Sequence, residues 1–177
     1  MSQMELKDIL TPRLALITIT PEMVQAEKAG DSRFAELVGC TVTKEWPPEH
    51  WELHVFDFLL NEFERDPEAV GWTRYVAVLE ADGSRTLAGT VGGFAKEAGE
   101  CKIGYSILPQ YEGRGLITEA AQAFIEKLRA TGRFTSVIAH TFPWLGSSIR
   151  VMEKCGLSYD GAGEEQGTVR YRLRLTP

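Results

Sequence analysis

Residues 101–130 narrow the folds open to this chain more than any other stretch, because three incompatible local preferences follow one another there. Cys101 to Leu108 is rich in β-formers and reads as a strand. Pro109-Gln110-Tyr111-Glu112-Gly113-Arg114-Gly115 then breaks it. From about Gly113 to Ala130 a helix is expected, with Ala120, Ala121, Phe124, Ile125 and Leu128 along one side. A strand that feeds a helix through a glycine turn leaves unpaired backbone N–H groups at the helix start. That setting favours an anion, above all a phosphate or pyrophosphate. Glycine suits the turn because a Cβ would hold a ligand off the backbone, and Arg114 could add a charge-assisted hydrogen bond. Two commoner phosphate loops do not fit. Leu116-Ile117 stand where a Walker loop needs Lys-Ser or Lys-Thr, and Thr118 stands where a dinucleotide fingerprint needs its third glycine.

The rest of the chain surrounds this segment with alternating elements and no repeat or linker. A strand begins near Arg13 through Leu14-Ala15-Leu16-Ile17-Thr18-Ile19. Thr20-Pro21-Glu22 then reads as a helix start, and Gly30 as its end. Ser32 is expected to cap a short helix carrying Phe34, Leu37 and Val38. After the Pro47-Pro48 loop, Trp51, Val55, Phe58, Leu59 and Phe63 recur at helical spacing up to Asp66-Pro67. Tyr75–Leu79 and Thr86–Phe94 form strands around the Asp82-Gly83 turn. Strands at Ser136–Thr141 and Val169–Leu175 bracket a short helix at Ser147–Cys155. Three meander strands followed by strand–helix–strand–helix–strand predict an α/β (α+β) fold, with a mixed, mostly antiparallel sheet of about six to seven strands and helices on both faces.

With 177 residues, the chain reads as one domain over 1–177. Its net charge of −6 argues against a nucleic-acid binder, which wants a basic face. The three scattered cysteines form no CxxC pair and suit a reduced cytoplasmic interior. Met1–Leu10 is too polar for a leader, and no apolar run approaches a membrane span.

Ile103-Gly104-Tyr105-Ser106-Ile107-Leu108-Pro109-Gln110-Tyr111-Glu112-Gly113-Arg114-Gly115-Leu116-Ile117-Thr118-Glu119-Ala120 resembles motif A of the GNAT superfamily of acyl-CoA-dependent N-acyltransferases, Gln/Arg-x-x-Gly-x-Gly/Ala after a strand. Ser148-Ile149-Arg150-Val151-Met152-Glu153-Lys154-Cys155-Gly156-Leu157 is similar to a helix of the ribosomal-protein alanine acetyltransferase branch. Thr11-Pro12-Arg13-Leu14-Ala15-Leu16 resembles that branch's opening strand. The resemblance implies the GNAT fold and direct attack by a primary amine on the thioester of acetyl-CoA, with no metal. It places the cofactor against Ile107, Leu108, Gln110, Gly113, Arg114, Gly115, Leu116, Ile117 and Thr118. It implies a Leu108 backbone N–H as oxyanion donor and Ser148 as proton donor to the leaving thiolate, since Met152 stands where many members carry Tyr. Glu100 or Glu97 is a candidate base, and Glu119 is read as structural.

Two positions depart from the branch pattern. Lys102 replaces a common Glu, and Leu145 replaces an Asn that contacts the pantetheine arm. A noncatalytic acyl-CoA sensor or partner-binding module on the same fold is therefore the alternative. The acceptor is left open among a protein N-terminus, an amino acid or polyamine, and an aminoglycoside-like compound. Pairing of the final strand or a helix offers a route to a homodimer.

The remaining candidates read first as structure. His50 and His54 are spaced like two metal ligands one helical turn apart, but Trp51 follows the first His and no third ligand is evident. His140 reads as a core or rim residue. Trp46, Trp51, Phe56, Phe58 and Phe63 fit a core stripe or an acceptor wall. Glu45, Glu49, Glu52, Asp57, Glu62 and Glu64 fit a solvated face, or a field that draws a cationic amine.

Overall fold

The structure, a computed structural model, describes residues 6–175. Met1 to Glu5, half of the N-terminal stretch read above as too polar for a leader, lie outside it. The described strands are β1 (Ile9–Leu10), β2 (Leu14–Thr18), β3 (Thr73–Leu79), β4 (Arg85–Ala95), β5 (Glu100–Ile107), β6 (Ser136–Thr141), β7 (Ser158–Ala162) and β8 (Val169–Arg174). They form one eight-stranded sheet in the order β1-β2-β3-β4-β5-β6-β8-β7. Every neighbouring pair is antiparallel except β5 with β6. The expected six or seven strands become eight because β1 is only two residues long and because Ser158–Ala162 lacks an apolar alternation.

Helices α1 (Pro21–Ala29), α2 (Phe34–Val38), α3 (Leu53–Arg65), α4 (Leu116–Thr131) and α5 (Gly146–Lys154) complete the element order. The start of α1 follows its sequence signal. The Thr20 hydroxyl accepts from the Met23 N–H, and Gly30 closes the helix in the left-handed region at φ 66°, where a Cβ is costly. Ser32 does not cap α2. Arg33 occupies that place without a side-chain bond, and the Asp31 carboxylate takes the Arg33 N–H instead. Helix α4 starts at Leu116 rather than near Gly113, because Gly113 and Gly115 have φ of 74° and 73°, outside helical geometry.

Because side chains alternate across a strand, the sheet feeds two cores. Leu16, Val76, Val91 and Ile103 meet Phe124 and Leu128 of α4 and Met152 of α5. Ala15, Ile17, Tyr75 and Leu87 meet Val24, Phe34, Phe56 and Phe63 from α1, α2 and α3. Trp51, Phe56 and Phe63 from the predicted aromatic stripe are buried there, whereas Phe58 remains 44% exposed.

Two irregularities open the sheet at its centre. Strand β4 carries an extra residue between Leu87 and Gly89, opposite Val76 and Ala77. A Cβ on Gly89 would lie 2.2 Å from the Ser106 carbonyl oxygen, so only glycine fits this close approach. Strand β5 pairs with β6 only over Glu100–Lys102 and Ser136–Ile138. Beyond Lys102 the two parallel strands part, leaving a V-shaped opening.

Candidate active site

A cleft of about 430 Å³ begins beside this opening. Tyr105, Ser106 and Ile107 of β5 form its floor, and Gly113, Gly115, Leu116, Ile117 and Thr118 form the turn and first helical turn at one end. Ser147, Ser148, Arg150, Val151 and Lys154 of α5 wall it, and Glu49 and His50 reach its rim from the loop before α3.

The glycine turn has the shape of an anion cradle. A Cβ on Gly113 would project into open space, so its positive φ and not crowding calls for glycine there. No side chain caps α4, which leaves the Leu116, Ile117 and Thr118 amides at a positive helix end. Arg150 and Lys154, four residues apart, line the same cleft, and neither has a carboxylate partner among the described salt bridges. Uncapped amides and two unpaired cations suit the phosphates of a coenzyme A.

Arg13 and Glu119 hold the turn. Arg13 donates from Nε to Glu119 Oε2 at 2.7 Å and from a terminal guanidinium nitrogen to the Arg114 carbonyl at 2.9 Å. The Thr11 hydroxyl and the Arg13 N–H donate to Glu119 Oε1 at 2.7 and 3.0 Å. Burial disfavours ionisation of this carboxyl, but these donors outweigh it and hold the group below its ordinary range.

Of the residues expected to hold cofactor or catalyse transfer, Ile107, Gly113, Gly115, Leu116, Ile117, Thr118 and Ser148 come together at the cleft. Gln110 and Arg114 do not line it. Gln110 lies in a short 3-10 turn over Pro109–Tyr111, and the Arg114 guanidinium sits 5.7 Å over the Tyr111 ring. Leu108 is fully buried, and its N–H donates to the Ala88 carbonyl at 2.7 Å. That amide is already committed to the ladder and cannot serve as the expected oxyanion donor. Antiparallel ladders alternate bonded and unbonded residues, so the same bond turns the Tyr105 and Ile107 N–H groups toward the open edge of β5.

Glu100 is also displaced from its expected role. It sits at the closed end of the opening, where the Arg172 guanidinium holds its carboxylate at 2.6 Å. Arg172 also contacts Asp160 at 2.8 Å. Glu97 lies in the turn before β5, and neither carboxylate lines the cleft. His50 lies outside α3 at φ 68°, so it shares no helix face with His54. Among the described residues no three His, Cys, Asp or Glu side chains gather as a metal site, and no helix is long and apolar enough to cross a membrane.

Sequence reasoning missed Tyr105, Arg150 and Lys154. The Tyr105 hydroxyl donates to the Ser148 carbonyl at 3.0 Å and lies 3.3 Å from Ser148 Oγ. Burial pushes its phenol up to about 12, with Ser148 pulling the other way. Its signal was its place two residues before Ile107, on the same face of β5. Arg150 and Lys154 were marked by their four-residue spacing on α5.

A family model described as an acetyltransferase (GNAT) domain matches residues 17–158. No curated protein matches the sequence significantly. Among solved structures, a GNAT-family acetyltransferase from Bacillus anthracis is 19% identical, with a TM-score of 0.63 over 96% of this chain and 99% of that one. The ribosomal-protein-S5-alanine acetyltransferase from Vibrio fischeri is 15% identical, with a TM-score of 0.63 over 97% of this chain and 100% of that one. RimL, a ribosomal α-N-protein acetyltransferase in complex with coenzyme A, is 16% identical, with a TM-score of 0.62 over 95% of this chain and 98% of that one. These likenesses are of fold. The family match spans most of the chain and takes in the parted strands, the glycine turn and α5, and on that match the chain belongs to the GNAT acetyltransferase family.

Proposed function

We propose that this protein transfers an acetyl group from acetyl-CoA to a primary amine by direct attack, with no covalent enzyme intermediate. The observation that carries the reading is the Tyr105–Ser148 hydroxyl pair at 3.3 Å, set in the cleft where β5 leaves β6. Acetyl-CoA, when bound, supplies an activated thioester. The amides of Leu116, Ile117 and Thr118, with Arg150 and Lys154, would hold its phosphates. Its pantetheine arm would run along the open edge of β5. The Ile107 N–H, facing that edge, replaces Leu108 as donor to the thioester oxygen.

Proton delivery to the departing thiolate falls to Ser148 and Tyr105. Ser148 reaches into the cleft and would give its proton to the thiolate. Tyr105, protonated throughout the physiological range, would turn from the Ser148 carbonyl to replenish Oγ, and solvent would take the proton shed by the amine and return one to the phenol. Glu100 has no part in the proposal, because Arg172 holds its carboxylate away from the cleft.

Retention of acetyl-CoA without turnover is the second reading. Leu145, 43% exposed, stands at the N-cap of α5 and offers no hydrogen bond there. Calorimetric titration with acetyl-CoA, followed by an amine library with free-thiol detection, separates the two. Binding with amine-dependent thiol release is expected. Binding without release would favour the sensor, and absence of binding would remove both.

A further inference from the structure

Lys102 is the last residue of β5 paired with β6, so its side chain leaves the sheet where the strands begin to part. Tyr105 and Ile107 face the cleft and Ser148, and by strand alternation Lys102 and Gly104 face the opposite side. The contacts agree. Lys102 Nζ lies 5.9 Å over the Phe94 ring, and Phe94 meets Phe58 of α3 edge-on at 5.8 Å. An amine approaching a thioester lodged between β5 and β6 from the side away from Ser148 arrives beside Lys102.

This surface is cationic in a chain of net charge −6. Lys96 and Lys102 both reach Glu164, at 3.2 and 3.3 Å. One carboxylate between two ammonium groups leaves a positive charge uncompensated. His140 supplies no negative charge, and neither of its buried ring nitrogens has a hydrogen-bond partner among the described residues. A lone alkylammonium would be repelled here, whereas an acceptor with an anion beside its amine could take the place of Glu164.

We infer that the acceptor carries an anionic group, a carboxylate or a phosphate, which Lys102 and Lys96 receive on the side of the sheet away from the cleft; this rests on the acetyltransferase reading above. A lysine ammonium is a point charge that accepts either anion. The exposed edges of Phe58 and Phe94 offer an apolar wall beside it. On this reading Lys102 sets substrate class from the point where β5 leaves β6.

The test presents the full chain and acetyl-CoA with matched amines, phenylalanine against its amide and O-phosphoethanolamine against ethanolamine. Thiol release gives kcat/KM, and calorimetry follows acetyl-CoA binding in parallel. The amide has the less basic amine and is the better nucleophile near neutral pH, so preference for the acid must come from the site. The anionic member of at least one pair is expected to be used about tenfold better, the effect of a single well-placed charge contact. The pair that responds tells carboxylate from phosphate. Lys102→Met should remove the preference. Glu164→Gln should raise kcat/KM for the same acceptor, because it removes the competing carboxylate. An ion pair that only stabilises the fold would make both variants act in one direction. Equal use of charged and neutral amines, or an unaffected Lys102→Met, overturns the anion site and leaves acetyl transfer standing. Acetyl-CoA binding without thiol release from any amine removes the transferase reading, and this inference with it.

Discussion

Arg13 Nε lies 2.7 Å from Glu119 Oε2 and joins residues 106 positions apart in sequence. This contact ties the opening strand to the first turn of α4, the helix whose N-terminus faces the cleft. Thr11, Arg13 and Glu119 belong to two of the sequence motifs by which the chain resembles its family, and the structure gives their co-occurrence a physical reason. They form one clamp around the glycine turn.

Breaking that clamp should loosen the turn before it unfolds the protein. Glu119→Gln is expected to cost about 2 kcal/mol near pH 7, the scale of charge-assisted hydrogen bonds. Its folded-state ionisation lies below the ordinary value of 4.5. The ionised group's contribution is therefore full above 4.5 and lost as pH falls through the folded value. Urea titrations at several pH values should show wild type and variant converging on the acid side. A constant offset down to low pH would contradict the assignment.

Glu27 should behave with the opposite sign. Its carboxylate accepts from Trp51 Nε1 at 2.7 Å, Trp46 Nε1 at 3.1 Å and the Tyr75 hydroxyl at 3.1 Å. Desolvation nevertheless raises its ionisation above 4.5, against the pull of these donors. Its linkage contribution is present below 4.5 and lost as pH rises through the folded value. Glu27→Ala leaves three donors without their acceptor and should destabilise by about 3 kcal/mol. Denaturant melts check the loss. Near-wild-type stability would mean that water replaces the carboxylate.

At the glycine turn, Gly113→Ala should weaken acetyl-CoA binding by at least about tenfold while the protein stays folded. An L-residue at this left-handed position costs about 1–2 kcal/mol, and its methyl would project toward the bound phosphates. Calorimetry and a thermal melt on the same variant separate affinity from folding. Unchanged affinity would move the phosphate site elsewhere.

Tyr105→Phe and Ser148→Ala should each lower kcat by about a hundredfold, the scale of general acid catalysis, with little effect on acetyl-CoA affinity. If the two hydroxyls act as a relay, the double variant should lose little more than either single one. Multiplying losses would make them independent. Because burial holds Tyr105 near 12, the wild-type rate should show no alkaline loss from this group below pH 10.

Sequence patterns reached the elements whose cause is local. Thr20-Pro21 and Gly30 mark α1 because capping needs only a few neighbouring residues. The β3–β4 hairpin announces itself through Asp82-Gly83. Ser158–Ala162 stayed hidden because its strand character comes from pairing with β8. The fate of Glu100 was equally unreadable, since its partner Arg172 arrives from β8 through the order of strands in the sheet. Leu108 shows the limit at finer grain. The motif marked the right stretch, yet which of two adjacent amides is free depends on the ladder with Ala88.

By itself the sequence determined the family, the glycine turn before α4 and Ser148 of α5, because these depend on residue types at short spacing and on backbone conformations that only glycine readily adopts. Tertiary structure decided which groups can act. It committed the Leu108 amide to the ladder, bound Glu100 to Arg172, brought Tyr105 to Ser148 and set Lys102 where the strands part. Hydrogen-bond alternation, strand order and the shortness of the β5–β6 pairing made those choices, and each is a relation between segments rather than a property of any one of them.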